Sequence, residues 1–196
     1  SDLREQLRSN LLRAISHDLR TPLTGIAGSS NLILSSYDEL SREVMIDLVK
    51  EINNDSEWLI RLVENLLSMT RIESGKLEIK KNPEIVEEIL SESIQHLKSR
   101  LNNHKLTVDI PQDVLFVPMD GKLIEQVIIN LVDNAVKYTP EGSVVKIKVY
   151  GNKNNVYFEI SDNGPGINKN DIDHLFETFY KGTKNNADTR RRVRLR

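Results

Sequence analysis

The stretch AISHDLRTPLTG, Ala14 to Gly25, places a histidine beside an aspartate, with a proline five residues on. A neutral imidazole attacks through one ring nitrogen while the other holds the proton and needs an acceptor. Asp18 is the acceptor at hand for His17. Thr21 falls one turn beyond His17 on the same helical face. Pro22 is the odd member. Inside a helix it removes a donor and crowds the carbonyl four residues back, that of Asp18, at ~3 kcal/mol. The expectation is a break just past the His17–Asp18 pair, where the helix bends and presents the imidazole. Taken alone, His17 reads more readily as a solvated surface histidine; the nucleotide motifs downstream are what reverse that reading.

A second group lies far downstream. NLVDNAVKY carries Asn130 and Asn134 one turn apart, so both amides share a face. Their carbonyl oxygens suit a hard cation such as Mg²⁺, and Lys137 follows as a point charge suited to phosphate. By itself the spacing also fits ordinary helix-surface asparagines. SDNGPGI, Ser161 to Ile167, adds an acid at a strand end, Asp162, that can accept from an exocyclic amine. Gly164 and Gly166 then allow open backbone angles and close approach to a ligand. HLFETFYKG sets Phe176 and Phe179 three residues apart before the polar KGTKNNADT. It reads as a short helix anchoring a mobile lid, or as a plain core contact. His96, His104 and His174 have no such company and read as structural.

The elements that must position these groups fall into two halves. Leu3, Leu7, Leu11, Ala14 or Ile15, Leu19, Leu23 and Ile26 follow helical spacing up to about Ser35. From Ser41 to Glu73, Val44, Leu48, Ile52, Asp55, Leu59, Leu62, Leu66 and Met69 form a heptad seam with one polar member. Ser41 is the predicted N-cap and Gly75 the stop. Such a hairpin has little core of its own, and a second copy would complete a four-helix bundle. After Gly75 the pattern changes to α/β. Strands are predicted at KLEIKK (76–81), Leu106–Ile110, Leu115–Val117, Val144–Tyr150 and Val156–Ser161, with helices at Glu84–Arg100 and Gly121–Tyr138. The expected domains are 1–74 and 75–196, cut between residues 74 and 82.

Bulk numbers narrow the class. A net charge of −2 over 196 residues argues against a nucleic-acid binder working by overall charge. The absence of cysteine excludes disulfides and thiolate metal sites. No apolar run reaches the ~18 residues of a membrane span.

In this order, SHDLRTPLT, NLVDNAVKY, DNGPG and LFETFY resemble the H box, N box, first glycine box and F box of sensor histidine kinases. The resemblance covers nearly the whole chain. SHDLRTPLTGIAG and LIEQVIINLVDNAVKYTP are most similar to the branch that controls potassium uptake. It implies a helical hairpin that dimerises and carries the phosphoacceptor, then a two-layer α/β Bergerat-type ATP-binding domain. By resemblance His17 accepts phosphate, Asp18 is the general base, and Thr21 positions water for dephosphorylating a partner. Asn134, helped by Asn130, would ligate Mg²⁺, Lys137 would touch phosphate, Tyr138 would pack near the base and Asp162 would read adenine. Gly164, Gly166, Phe179 and Lys181 complete the nucleotide-binding set. Hydrolysing relatives place a glutamate base one turn before Asn134; here Asn130 cannot take a proton, which favours a kinase over an ATPase. The implied partners are a second copy and a response-regulator receiver domain. The implied location is the cytoplasmic portion of a bacterial receptor anchored in the inner membrane by an upstream sensor region.

One part departs from the family. Where a second glycine box is expected, opening a helix toward the phosphates, DTRRRVRLR puts Arg192, Arg194 and Arg196 in place of the glycines. From Lys181 onward there are seven basic residues against one acid. The expectation is a C-terminally truncated domain with an incomplete sheet and weakened ATP binding. A regulator-binding dimeric scaffold is then the alternative to a working kinase.

Overall fold

The computed structural model describes residues 2–113 and 115–175. They divide into two compact units, residues 2–77 and 78–166, and residues 167–175 group with the first. That last stretch includes one helical turn, Lys169–Ile172.

The first unit is a hairpin of α1 (Asp2–Ser36) and α2 (Arg42–Glu73). Ser41 caps α2: its hydroxyl accepts from the Val44 amide at 3.2 Å. The other end closes as the glycine foretold. Gly75 adopts φ +67°, its N–H donates to the Ile72 carbonyl at 3.0 Å, and Lys76 N–H donates to Arg71 at 2.8 Å. That pair of bonds is the Schellman closure, which needs a left-handed residue. The helices approach closely at Gly25, where a Cβ would lie 2.3 Å from Asp55 Oδ2. One turn on, the buried Ser29 hydroxyl donates to Glu51 Oε2 at 3.2 Å. Both contacts keep a single antiparallel register, which sets Pro22 level with Trp58, and both of those residues are buried.

α1 continues as one helix through Pro22, whose ring is buried and removes a backbone donor toward Asp18.

In the second unit, β1 (Asn82–Ile85) pairs antiparallel with β3 (Phe116–Met119). β4 (Val144–Gly151) is central in a second sheet, parallel to β2 (Lys105–Asp109) and antiparallel to β5 (Val156–Asp162). α3 (Val86–Leu97) and α4 (Gly121–Tyr138) cover one face. Val145, Ile147 and Val149 of β4 enclose a core with Ile89, Leu90 and Leu97 of α3 and Ile128, Ile129, Val132 and Val136 of α4. Alternate β4 residues point outward: Lys146, Lys148 and Tyr150. There Tyr150 stacks on Tyr157 at 5.1 Å and donates to Glu159 Oε2 at 3.3 Å. Desolvation, then the Glu159 charge, raises this phenol above its usual 10.0.

Two sequence expectations need correction. KLEIKK is not a strand; the strand is β1, beginning at Asn82, and the helix expected from Glu84 starts at Val86. Glu84 and Ile85 are claimed by pairing with Val117 and Phe116. Pro83, which cannot donate, is tolerated because this two-stranded pair is all edge. The other strands and the α4 helix lie within two residues of their expected bounds.

Candidate active site

His17 stands on α1 with its side chain 64% exposed. Nδ1 lies 3.3 Å from Asp18 Oδ1, which fixes the ring edge facing the carboxylate and turns Nε2 outward. Thr21 Oγ1 donates to the His17 carbonyl at 3.5 Å, the long end of the range. Ser16 likewise folds back, donating to Leu12 O at 2.7 Å. Local sequence therefore leaves one nitrogen uncommitted on an exposed face.

α4 opens on Asp120, whose Oδ1 accepts from Leu123 N at 3.3 Å. Pro140 bars the helix from continuing, and Thr139 before it is extended (φ −117°, ψ 152°). Asn130 and Asn134 are both half-buried, one turn apart. Between them the side chain of Asp133 turns inward, with Lys137 Nζ at 2.5 Å and Arg100 Nη2 at 3.7 Å. Lys137, expected to wait for phosphate, is thus already paired with an acid. Sequence reasoning passed over Asp133 and Arg100. The available signal was that Asp133 shares a helical face with Ile129 and Val136.

β5 register puts Asp162 opposite Val145, on the sheet face that carries the helices. Asp162 Oδ1 accepts from Gly164 N at 2.9 Å, and Asn163 Oδ1 accepts from Val144 N at 2.8 Å. The two glycines have different tasks. Gly164 sits where a Cβ would come 2.5 Å from Thr139 Cγ2, so its smallness serves contact with the end of α4. Gly166 takes φ +77° with open space around it, so its freedom is conformational. The ends of α4 and β5 therefore meet, bringing exposed Tyr138 and Asp162 to neighbouring segments. Phe176, Phe179, Lys181 and the arginines 192, 194 and 196 lie outside the described residues. Among the described residues no three His, Cys, Asp or Glu gather to hold a metal.

Two family profiles match this arrangement in order. Residues 7–75 match the His Kinase A (phospho-acceptor) domain, and residues 119–195 match the histidine kinase-, DNA gyrase B- and HSP90-like ATPase domain. The chain belongs to the sensor histidine kinases. Among named relatives, it is 50% identical over 192 residues to the sensor protein KdpD of Clostridium acetobutylicum, covering 98% of this chain and 21% of that protein. It is 34% identical to KdpD of Escherichia coli, covering 94% and 20%. The chain therefore spans about a fifth of the length of these relatives. A solved structure of the histidine kinase AdeS from Acinetobacter baumannii is 28% identical with a TM-score of 0.54, over 83% of this chain and 79% of that one.

Proposed function

We propose that this chain is the phosphotransfer portion of a KdpD-type sensor kinase, with residues 1–74 as dimerising phosphoacceptor domain and 75–196 as ATP-binding domain. The observation that carries the reading is His17: exposed, with Nδ1 against Asp18 and Nε2 turned outward. Nδ1–H donates to the carboxylate, so the Nε2 lone pair attacks the γ-phosphorus of ATP. A P–N bond forms, the β,γ P–O bond breaks, and ADP leaves. Asp18 then takes or holds the Nδ1 proton as charge builds on the ring. Such transfer depends mainly on positioning and charge neutralisation. The phosphoryl group then passes to an aspartate of a response regulator, and Thr21 orients water for the reverse, dephosphorylating role.

Tyr138 packs near the adenine and Asp162 accepts from its exocyclic amine, with Gly164 and Gly166 shaping the turn beside it; Phe179 and Lys181 belong to the nucleotide-binding set by resemblance alone. Asn130 and Asn134 would hold Mg²⁺ through one or two side-chain carbonyl oxygens, hard donors of the kind the ion prefers, with the nucleotide phosphates supplying the rest. When bound, it neutralises phosphate charge. Lys137 reaches phosphate only by leaving Asp133, which keeps its charge compensated until nucleotide arrives.

No helix among the described residues is long and apolar enough to cross a membrane. In this reading membrane attachment comes from other parts of a longer receptor, and this portion works on the cytoplasmic side. The arginines at 192, 194 and 196 favour a second reading, a dimeric scaffold that holds a regulator without phosphorylating it. Incubation with γ-labelled ATP and Mg²⁺ decides between them. The kinase reading expects acid-labile label on the wild type and none on His17→Gln; no label on either leaves the scaffold.

A further inference from the structure

His104 carries a role that the proposed mechanism leaves unused. It follows a tight turn in which Asn102 is left-handed (φ 52°) and His104 N donates to Leu101 O at 2.9 Å. The turn docks on the loop after α4. Asn103 bonds Glu141, Lys105 N donates to Ser143 O at 3.0 Å, and His104 Nε2 meets Thr139 Oγ1 at 2.8 Å. The Thr139 hydroxyl has one proton, and it goes to the Ala135 carbonyl at 2.7 Å. Toward His104 the oxygen can only accept, so Nε2 carries the ring proton. Nδ1 is buried, with no hydrogen-bond partner among the described residues. The ring is therefore held by a single donated bond.

That bond matters because of what lies across Thr139. A threonine side chain has three staggered positions. With Oγ1 pinned by Ala135 on one side and His104 on the other, the methyl is fixed as well. It occupies the place where a Cβ on residue 164 would stand, 2.5 Å away. Gly164 rests on that methyl, and its N–H holds Asp162 Oδ1 at 2.9 Å. We propose that His104 is a positioning residue: by donating from Nε2 to Thr139 it fixes the methyl that seats the Gly164 turn and orients the Asp162 carboxylate. Its value for nucleotide binding rests on the reading of Asp162 above, whereas the link from His104 to Gly164 stands without it.

Two measurements on the whole chain separate these. In ¹⁵N-resolved NMR spectra, wild-type His104 should show the Nε2–H tautomer. His104→Leu should move the Gly164 amide resonance while leaving that of Gly151, at the far end of β4, in place. His104→Gln puts an amide donor near the Nε2 position and should bring the Gly164 resonance back. Thr139→Ser keeps the hydroxyl but deletes the methyl, so it should move Gly164 even with His104 intact. A Gly164 resonance unmoved in His104→Leu and Thr139→Ser, or an Nδ1–H tautomer in the wild type, overturns the proposal. Titration with trinitrophenyl-ATP then tests the consequence. Loss of one positioned hydrogen bond should weaken binding about tenfold in His104→Leu and under threefold in His104→Gln. A wild type that binds no trinitrophenyl-ATP refutes the nucleotide reading, while the resonance shifts still decide the positioning role.

Discussion

Asp133 and Thr21 show how much one side chain can control. Asp133 turns from α4 into the core and is compensated by Lys137 and, more distantly, Arg100. Removing one partner of a buried pair costs 3–5 kcal/mol, and the partial exposure of both cations here lowers that. Asp133→Asn should therefore destabilise the α/β unit by about 2 kcal/mol. The check is a urea titration in which the midpoint falls with an unchanged slope; an unmoved midpoint rules out Asp133 as a structural hub. Thr21 is a contrasting case. Its hydroxyl makes only a long contact to its own helix, so Thr21→Ala should leave stability within ±0.5 kcal/mol. What it should lose is phosphatase activity toward the regulator, several-fold, with His17 phosphorylation retained. Equal loss of both activities would assign Thr21 to the phosphoacceptor itself.

At the scale of the element, Pro22 is the telling case. α1 stays helical through it, and the register carries the ring to the level of buried Trp58. Pro22→Ala restores a backbone donor toward Asp18 but removes ring contacts. The net gain should thus be below the ~3 kcal/mol that proline costs a free helix. Calorimetry of the hairpin should show a higher midpoint, and the ratio of kinase to phosphatase rates should change as the His17 segment stiffens. A raised midpoint with an unchanged ratio would make Pro22 a packing residue alone. The same element shows what sequence conveys. Ser41 and Gly75 announce the ends of α2 because capping chemistry is local, and the β4–β5 hairpin and α4 were legible for similar reasons. Whether Pro22 bends a helix or rides inside one depends on a partner helix thirty-odd residues away, which no local pattern contains. β1 was misplaced for the same cause, since only pairing with β3 recruits Glu84 and Ile85 from the predicted helix. In the candidate site, motifs single out His17, Asn130, Asn134 and Asp162, but the Asp133–Lys137 pair and the His104–Thr139 link were not legible. Each joins polar groups whose partners are chosen by packing.

For the whole molecule the open question is what covers α2. One stripe of this helix, Leu48, Ile52, Leu59, Leu62, Leu66 and Met69, is half-buried within the hairpin. A second stripe runs beside it in two groups, Ile46 and Val49, then Ile60, Val63 and Leu67, with steps of three and four inside each group and the polar Asn53 and Ser56 between them, and each apolar member is at least 44% exposed. Two seams on one helix are what a four-helix bundle of two hairpins requires, one facing the sister helix and one facing the other copy. Covering an aliphatic side chain contributes ~1.5–3 kcal/mol relative to leaving it in water, so this stripe can supply much of a dimer's affinity. Val63→Glu with Leu67→Glu puts four like charges into the seam of the pair, while the stripe facing α1 is untouched. Sedimentation should show a dimer for the wild type and a monomer for the double variant. The thermal midpoint of the wild type should rise with concentration, and that of the variant should not. Helix content should persist in the monomer, because the half-buried stripe still joins α1 to α2. A variant that remains dimeric would move the interface to α1, where Leu12, Leu23 and Leu32 are the exposed candidates.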